Sequence, residues 1–303
     1  MVRQAPLWTA LLAGAVLLAL ATIAAVGRGV AVARRAAGAG TPVAEVARLL
    51  AQQRRSTLAA DRLLWRSGPA AVCVAAALAA LVVPLGRWTA WDSPVGVVWF
   101  NAMEVVVWAG LWLVGWGANS VWGVVAGYRF LAQGLAYELP HMFALTTVAL
   151  GAGSLRVGDV VAAQSGLWFV VWMPVAFVAY LVAALAMAFW GPFDAPAQAD
   201  LAGGLGAELS GVDALLLRAG RYLMLTAAAA FAVPAFLGGG AGPLLPAWLW
   251  SLLKTVAVLG FLVWLRDRLP TVRMERYTEL SWLVLLPATL VQALLVAIVV
   301  LLR

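Results

Sequence analysis

The chain reads as a series of long apolar runs separated by polar joints. Eight runs, roughly 7–26, 68–86, 95–115, 124–152, 166–190, 213–237, 244–265 and 281–302, approach or exceed the roughly 20 residues an α-helix needs to cross about 30 Å of hydrocarbon. They predict an all-α integral membrane protein, a single transmembrane domain over residues 1–303 with about eight spans. The fourth run is long and carries Pro140, which predicts a kinked or tilted helix. The sixth is loaded at its start with Asp213, Arg218 and Arg221. Glycines are spread throughout, which suits close helix packing in lipid. The first run follows Arg3 much as a secretory leader would, but it is too long and lacks a small-x-small cleavage pattern, so it reads as a retained span.

Between the first two runs, residues 42–55 predict an amphipathic helix. Val43, Val46, Ala47 and Leu50 share one face, and Glu45, Arg48, Gln52 and Arg55 share another, with Pro42 suited to the first turn. Such a helix lies in the membrane interface, with its arginines toward phosphates or a partner protein. The plainer alternative is a linker whose arginines only enforce topology.

Composition agrees with this pattern. Of 303 residues, 65% are hydrophobic and 11% charged, at a mean hydropathy of +0.97. That excludes an ordinary soluble enzyme and a disordered chain. A net charge of +7 would suggest nucleic acid in a soluble protein, but here the arginines punctuate apolar runs and anchor loops. Segment 27–67 alone holds Arg28, Arg34, Arg35, Arg48, Arg54, Arg55, Arg62 and Arg66. Placing it in the cytoplasm puts fifteen of the 20 Lys and Arg inside and leaves Arg3, Arg87, Arg156 and Arg303 outside. Both termini are then outside. With one cysteine (Cys73) and one histidine (His141), no disulfide framework, zinc site or iron–sulfur ligand set is expected, and no cofactor bound by this chain.

Two further inner loops carry chemistry. Residues 191–212 are rich in Gly and Pro and acidic, with Asp194, Asp200 and Glu208 where topology alone would favour arginine. Residues 266–280 are densely charged with both signs and offer a docking surface for a soluble partner. For each, a solvated loop is the plainer alternative. Apart from the charges near the starts of the fourth and sixth runs, four ionisable side chains fall within the spans: Glu104, Glu138, His141 and Lys254. Such groups face a protein interior or a wet cavity and are functional candidates. Glu138 and His141 are three apart and share a helix face. Either Glu138 exchanges protons, or a fixed Glu138–Lys254 or Glu–His pair locks helices together.

One family's residues match in order. Gly115-Trp-Gly-Ala-Asn-Ser120, Gly127-Tyr-Arg129, Ala132-Gln133 and Tyr137-Glu138 come first. Pro192-Phe-Asp194, Pro196 and Glu208-Leu-Ser-Gly211 follow, then Gly242-Pro-Leu-Leu-Pro246, Lys254-Thr255, Trp264-Leu-Arg266, Leu269-Pro270, Arg273 and Trp282 with Leu286-Pro287. With Pro42, Glu45, Arg48 and Ala60-Asp61-Arg62 near the start, the set resembles the H subunit of bacterial NADH–quinone oxidoreductase, respiratory complex I, over roughly residues 42–290. The resemblance implies a subunit without a redox centre that forms the membrane side of the quinone chamber. Soluble iron–sulfur and quinone-site subunits would dock on its cytoplasmic loops, and other membrane subunits and lipid would surround it in the bacterial inner membrane. It places Pro42, Glu45, Arg48 and Asp61 near the quinone entrance and Arg273 at the chamber wall. Asp194, Asp200 and Glu208 would lie in the loop joining chamber to proton path, with Glu138 its first buried carboxylate. Glu104 and Lys254 join that path as candidates because they lie within spans.

The sequence also departs from the family. The glutamate-rich run after Pro-Phe-Asp-x-Pro has become Ala197-Gln-Ala199, leaving Asp200; a glutamate before Tyr222 has become Arg221; the Arg-rich Gly-Pro-Asn loop is replaced by Arg34-Arg-Ala-Ala-Gly-Ala-Gly40; and a small or hydroxyl position is Glu104. Two alternatives stand beside this reading. One is the related anchor of a membrane-bound hydrogenase-type complex. The other is a stand-alone secondary transporter, although residues 1–150 and 151–303 carry no convincing repeat.

Overall fold

In hydrocarbon no water satisfies backbone N–H and C=O groups, so an apolar run of this length closes its own hydrogen bonds as a helix. The computed structural model describes residues 2–6, 8–34, 36–197 and 204–302. In chain order its helices are α1 (Thr9–Ala33), α2 (Thr41–Ala51), α3 (Arg62–Ala80), α4 (Gly96–Gly117), α5 (Val121–Ala152) and α6 (Val157–Ala163). After these come α7 (Phe169–Trp172), α8 (Pro174–Met187), α9 (Gly211–Phe236), α10 (Ala247–Arg266), α11 (Met274–Leu280) and α12 (Leu286–Leu301). A two-residue parallel ribbon, β1 (Arg3–Gln4) with β2 (Trp88–Thr89), ties the start of the chain to the turn after α3.

The all-α membrane architecture stands, with differences from the eight expected spans. Six helical units among the described residues are long and apolar enough to cross: α1, α3, α4, α9, α10 and the continuous Met274–Leu301. A seventh is α5 with α6, bent by 63°. That bend lies beyond Gly153, whose φ of +63° ends α5 in the left-handed conformation glycine adopts freely, and not at Pro140 inside α5. The expected span 166–190 is broken at Met173 before Pro174. Its longer piece, α8, has 14 residues and reaches only about 21 Å.

Other boundaries move because charge does not end a helix at a membrane surface. Helix α1 runs on past Arg28, α3 starts at Arg62, and α11 absorbs part of the expected 266–280 loop. Long arginine stems cover apolar surface while their heads reach water. Pro287 explains the π turn over Ser281–Leu285 that joins α11 to α12: it has no N–H for the carbonyl four residues back, and its ring crowds that carbonyl, so the ladder widens.

Helix α3 packs along α4 and α9, α4 along α5, and α5 along α8 and α12. The α3–α4 seam depends on glycine. A Cβ at Gly68 would stand 2.3 Å from the Gly110 carbonyl oxygen, so the two backbones meet where side chains would hold them apart. Helix α1 and the α11–α12 unit are the least enclosed of the spans.

Helix α2 forms where predicted but ends at Ala51. Val43, Val46 and Leu50 of the expected apolar face are exposed, and Leu49 is the residue buried against the body of the protein. The apolar stripe turns away from the bundle, as an interfacial helix requires when lipid is its other solvent.

Candidate functional site

Polar segments from four parts of the chain meet at one end of the bundle. Glu45 accepts from Arg48 Nε and Nη2 at 2.8 and 2.7 Å and also pairs with Arg218 of α9. Arg54 faces Asp213 at 3.9 Å, and the Arg55 N–H donates to Ser210 Oγ at 2.6 Å. The Thr57 hydroxyl bonds the Ala118 carbonyl, and Ser120 Oγ donates to Glu208. Asp61 caps α3, its carboxylate accepting from the Leu63 and Leu64 N–H groups at 3.0 and 3.2 Å. Pro42 occupies the first turn of α2, and exposed Arg273 stands at the start of α11. The structure therefore brings Pro42, Glu45, Arg48, Asp61 and Glu208 to one end. Asp200 lies outside the described residues.

Below this surface the chain turns sharply at Phe189–Asp194. The Trp190 ring is covered by two guanidiniums, Arg266 at 4.7 Å and Arg221 at 5.6 Å. Arg221 donates to the Phe189 carbonyl, and Arg266 donates to buried Asp194 at 3.1 Å. Arg221 thus ties α9 to the backbone of this turn. Val272 N–H donates to the Pro192 carbonyl at 2.8 Å, and the Phe193 ring packs 4.4 Å from Tyr277.

Deeper, α4 and α5 are joined by two polar pairs. His141 Nδ1 lies 2.8 Å from Glu104 Oε1, both side chains 0% exposed. Asn101 Nδ2 donates to Glu138 Oε1 at 3.0 Å. Each helix contributes residues three apart, so one face of α4 meets one face of α5. Glu104, Glu138 and His141 lie within electrostatic reach of one another, and Tyr137, Tyr180 and Tyr277 within reach of Glu104. Phe100 and Tyr180 flank the His141 ring at 6.3 and 5.3 Å, and Tyr180 is anchored to the Ala228 carbonyl at 2.7 Å. Around this centre the Glu104 and Glu138 carboxyls lie within hydrogen-bond reach of each other, while Oδ1 of Asn101, Nε2 of His141 and the hydroxyls of Tyr137 and Tyr277 are buried without a protein partner. Groups left this way are met by internal water or take part in function.

Lys254 is elsewhere. Its Nζ donates to the carbonyls of Leu237, Gly239 and Ala241 at 2.7, 3.0 and 2.7 Å and lies 4.0 Å from the Trp168 ring centre. An ammonium has three protons, and all three are engaged. The expected alternative of a Glu138–Lys254 pair does not form: Glu138 is met by Asn101 and His141 by Glu104. Sequence reasoning missed Asn101, Tyr180, Tyr277 and Trp190. Asn101 had a usable signal, one helical turn before Glu104. The tyrosines had none, because only tertiary packing of three helices aims them.

Fold and site together define a polytopic helical membrane protein with ionisable groups inside its bundle and a densely charged surface at one end. The family model described as NADH dehydrogenase matches residues 8–297. An H subunit of NADH-quinone oxidoreductase from Geobacter metallireducens is 35% identical over 86% of this chain and 83% of its own length. The H subunit from Geobacillus kaustophilus is 34% identical over 85% and 79%, and one from Cereibacter sphaeroides 37% identical over 84% and 81%. The chain belongs to the H-subunit family of NADH-quinone oxidoreductase.

Proposed function

We propose that the chain is the membrane subunit of a complex I-like NADH–quinone oxidoreductase. Its charged end forms the membrane side of the quinone chamber, and its α4–α5 seam begins the path that links quinone reduction to proton movement. One observation carries this reading: a run of groups from the charged end into the bundle. Asp194 is held by Arg266, adjacent Phe193 packs on Tyr277, and the unpaired Tyr277 hydroxyl is buried within the electrostatic field of Glu104, which is bonded to His141 beside Glu138.

On this reading quinone is a substrate, and electrons come from soluble iron–sulfur subunits seated on the charged end. That end faces the cytoplasm of a bacterial cell with both termini outside. The chain's own residues bind and orient. Glu138 and Glu104 hold protons where water is scarce, His141 fixes the Glu104 carboxyl, and the tyrosine hydroxyls extend the chain of donors toward Asp194. Glu104 adds a carboxylate in a chain that has lost those usual after Pro196.

The test is Glu138→Gln in the assembled complex in liposomes. Coupled turnover is expected to fall about 100-fold with assembly intact, since the proton site goes and the shape stays. Unchanged proton pumping overturns the role of Glu138. A chain that purifies alone from its native membrane and works as a carrier in liposomes overturns the complex assignment itself.

A further inference from the structure

At the end opposite the charged surface, α1, the close of α3, α9 and α10 enclose a cavity of about 470 Å³. That lies within the roughly 300–1,000 Å³ of small-molecule sites. Most of its lining is apolar, with Leu12, Leu17, Val83, Ala230 and Val233 among it. The lining hydroxyls are already engaged. Thr9 donates to the Pro6 carbonyl at 2.6 Å, Thr255 to the Ser251 carbonyl at 2.8 Å and Thr89 to the Leu81 carbonyl at 3.2 Å, while Ser251 Oγ accepts from Gly86 N–H at 3.0 Å. With so few polar groups in an apolar wall, a guest rich in polar atoms would leave most of them unpaired, so the cavity favours hydrocarbon.

The rim differs from the walls. Trp88 and Trp248 line it with 54% and 51% of their surface exposed, the placement of aromatic side chains at a membrane interface. Arg3 lies opposite Trp88 in the β1–β2 register, and Arg87 precedes Trp88; both arginines are exposed. Arg156, at the same end, is held by Asp92 at 3.4 Å. Among the described residues no carboxylate pairs with Arg3 or Arg87. Two cations here run against the bias that concentrates arginine at the other end, so topology does not account for them.

The geometry points to a resident anionic phospholipid, one acyl chain in the cavity and its phosphate at Arg3 and Arg87. This site is independent of the quinone reading.

The experiment takes the full chain with whatever subunits accompany it from the native membrane. The preparation is delipidated, offered phosphatidylglycerol and phosphatidylcholine in equal amounts, and its bound lipid is counted by native mass spectrometry. The wild type is expected to retain one phosphatidylglycerol. Ala13→Trp, which fills the cavity from the little-enclosed α1, is expected to lose it. Arg3→Ala with Arg87→Ala keeps the acyl site, and preference for phosphatidylglycerol falls about 30-fold. Equal retention of both lipids by the wild type overturns the proposal. So does full retention in Ala13→Trp, or a polyprenyl quinone as the stoichiometric occupant. Should Ala13→Trp fail to assemble, the double arginine variant decides, and an unchanged preference overturns the site.

Discussion

Lys254 and the Glu104–His141–Glu138 cluster satisfy one criterion in the sequence, an ionisable side chain within an apolar span. The structure separates them by hydrogen-bond capacity. Every proton of the Lys254 ammonium meets a carbonyl of the turn after α9, where Gly238 and Gly239 take positive φ and leave carbonyls without helical partners. It is a clamp, placed where a cation favours a helix C-terminus. In the α4–α5 seam the Glu104 and Glu138 carboxyls meet each other, and Asn101 Oδ1, His141 Nε2 and the Tyr137 hydroxyl stay unpaired at the centre of the bundle. A saturated charge holds structure together, whereas an unsaturated one retains the freedom to take up or release a proton.

Substitutions can break or sharpen that contrast. Lys254→Met should cost most, about 3 kcal/mol, because three carbonyls, the Gly239 one buried and the other two part-buried, lose a charged donor. Thermal unfolding of the purified protein in detergent checks it, and a loss below about 1 kcal/mol would remove the clamp. Glu104→Leu leaves His141 Nδ1 buried without its partner and should destabilise by about 1–3 kcal/mol, while Glu104→Gln keeps a partner and should cost less. If both variants unfold alike, the pair is not what holds the seam. Asp61→Ala should cost about 1 kcal/mol, as a lost helix cap does, and Asp61→Ser should recover most of it. Exposed Arg273→Ala should leave stability within about 0.5 kcal/mol. Its expected effect is weaker quinone reduction, and wild-type quinone kinetics would remove Arg273 from the chamber wall.

The apolar runs gave the helices and their order because hydropathy over about 20 residues is a strong signal in lipid. Element ends were less legible. Arg28 and Arg62 read as loop residues and are helical, and the 63° bend that follows Gly153 had no counterpart in the sequence reading. The apolar stripe of α2 was legible, but that Leu49 beside it packs on the body was not, because periodicity identifies a stripe without saying whether protein or lipid covers it. Glu104, Glu138 and His141 stood out individually. That Glu104 meets His141 while Glu138 meets Asn101 depends on how α4 and α5 are rotated against each other, which spacing along one helix does not encode. Lys254 looked equally suspicious, since its carbonyl partners belong to main chain thirteen to seventeen residues away and have no side-chain signature.

The shortness of α8 has an electrical corollary. About 21 Å of helix falls short of about 30 Å of hydrocarbon, so a crossing by this run draws on α7 and on the turn bearing Asp194, Trp190 and the arginine heads as well as on α8. A membrane voltage falls mainly across its insulating layer, at about 2.3 kcal/mol per elementary charge for 100 mV. Charge displaced between such a turn and the α4–α5 seam would cross part of that drop.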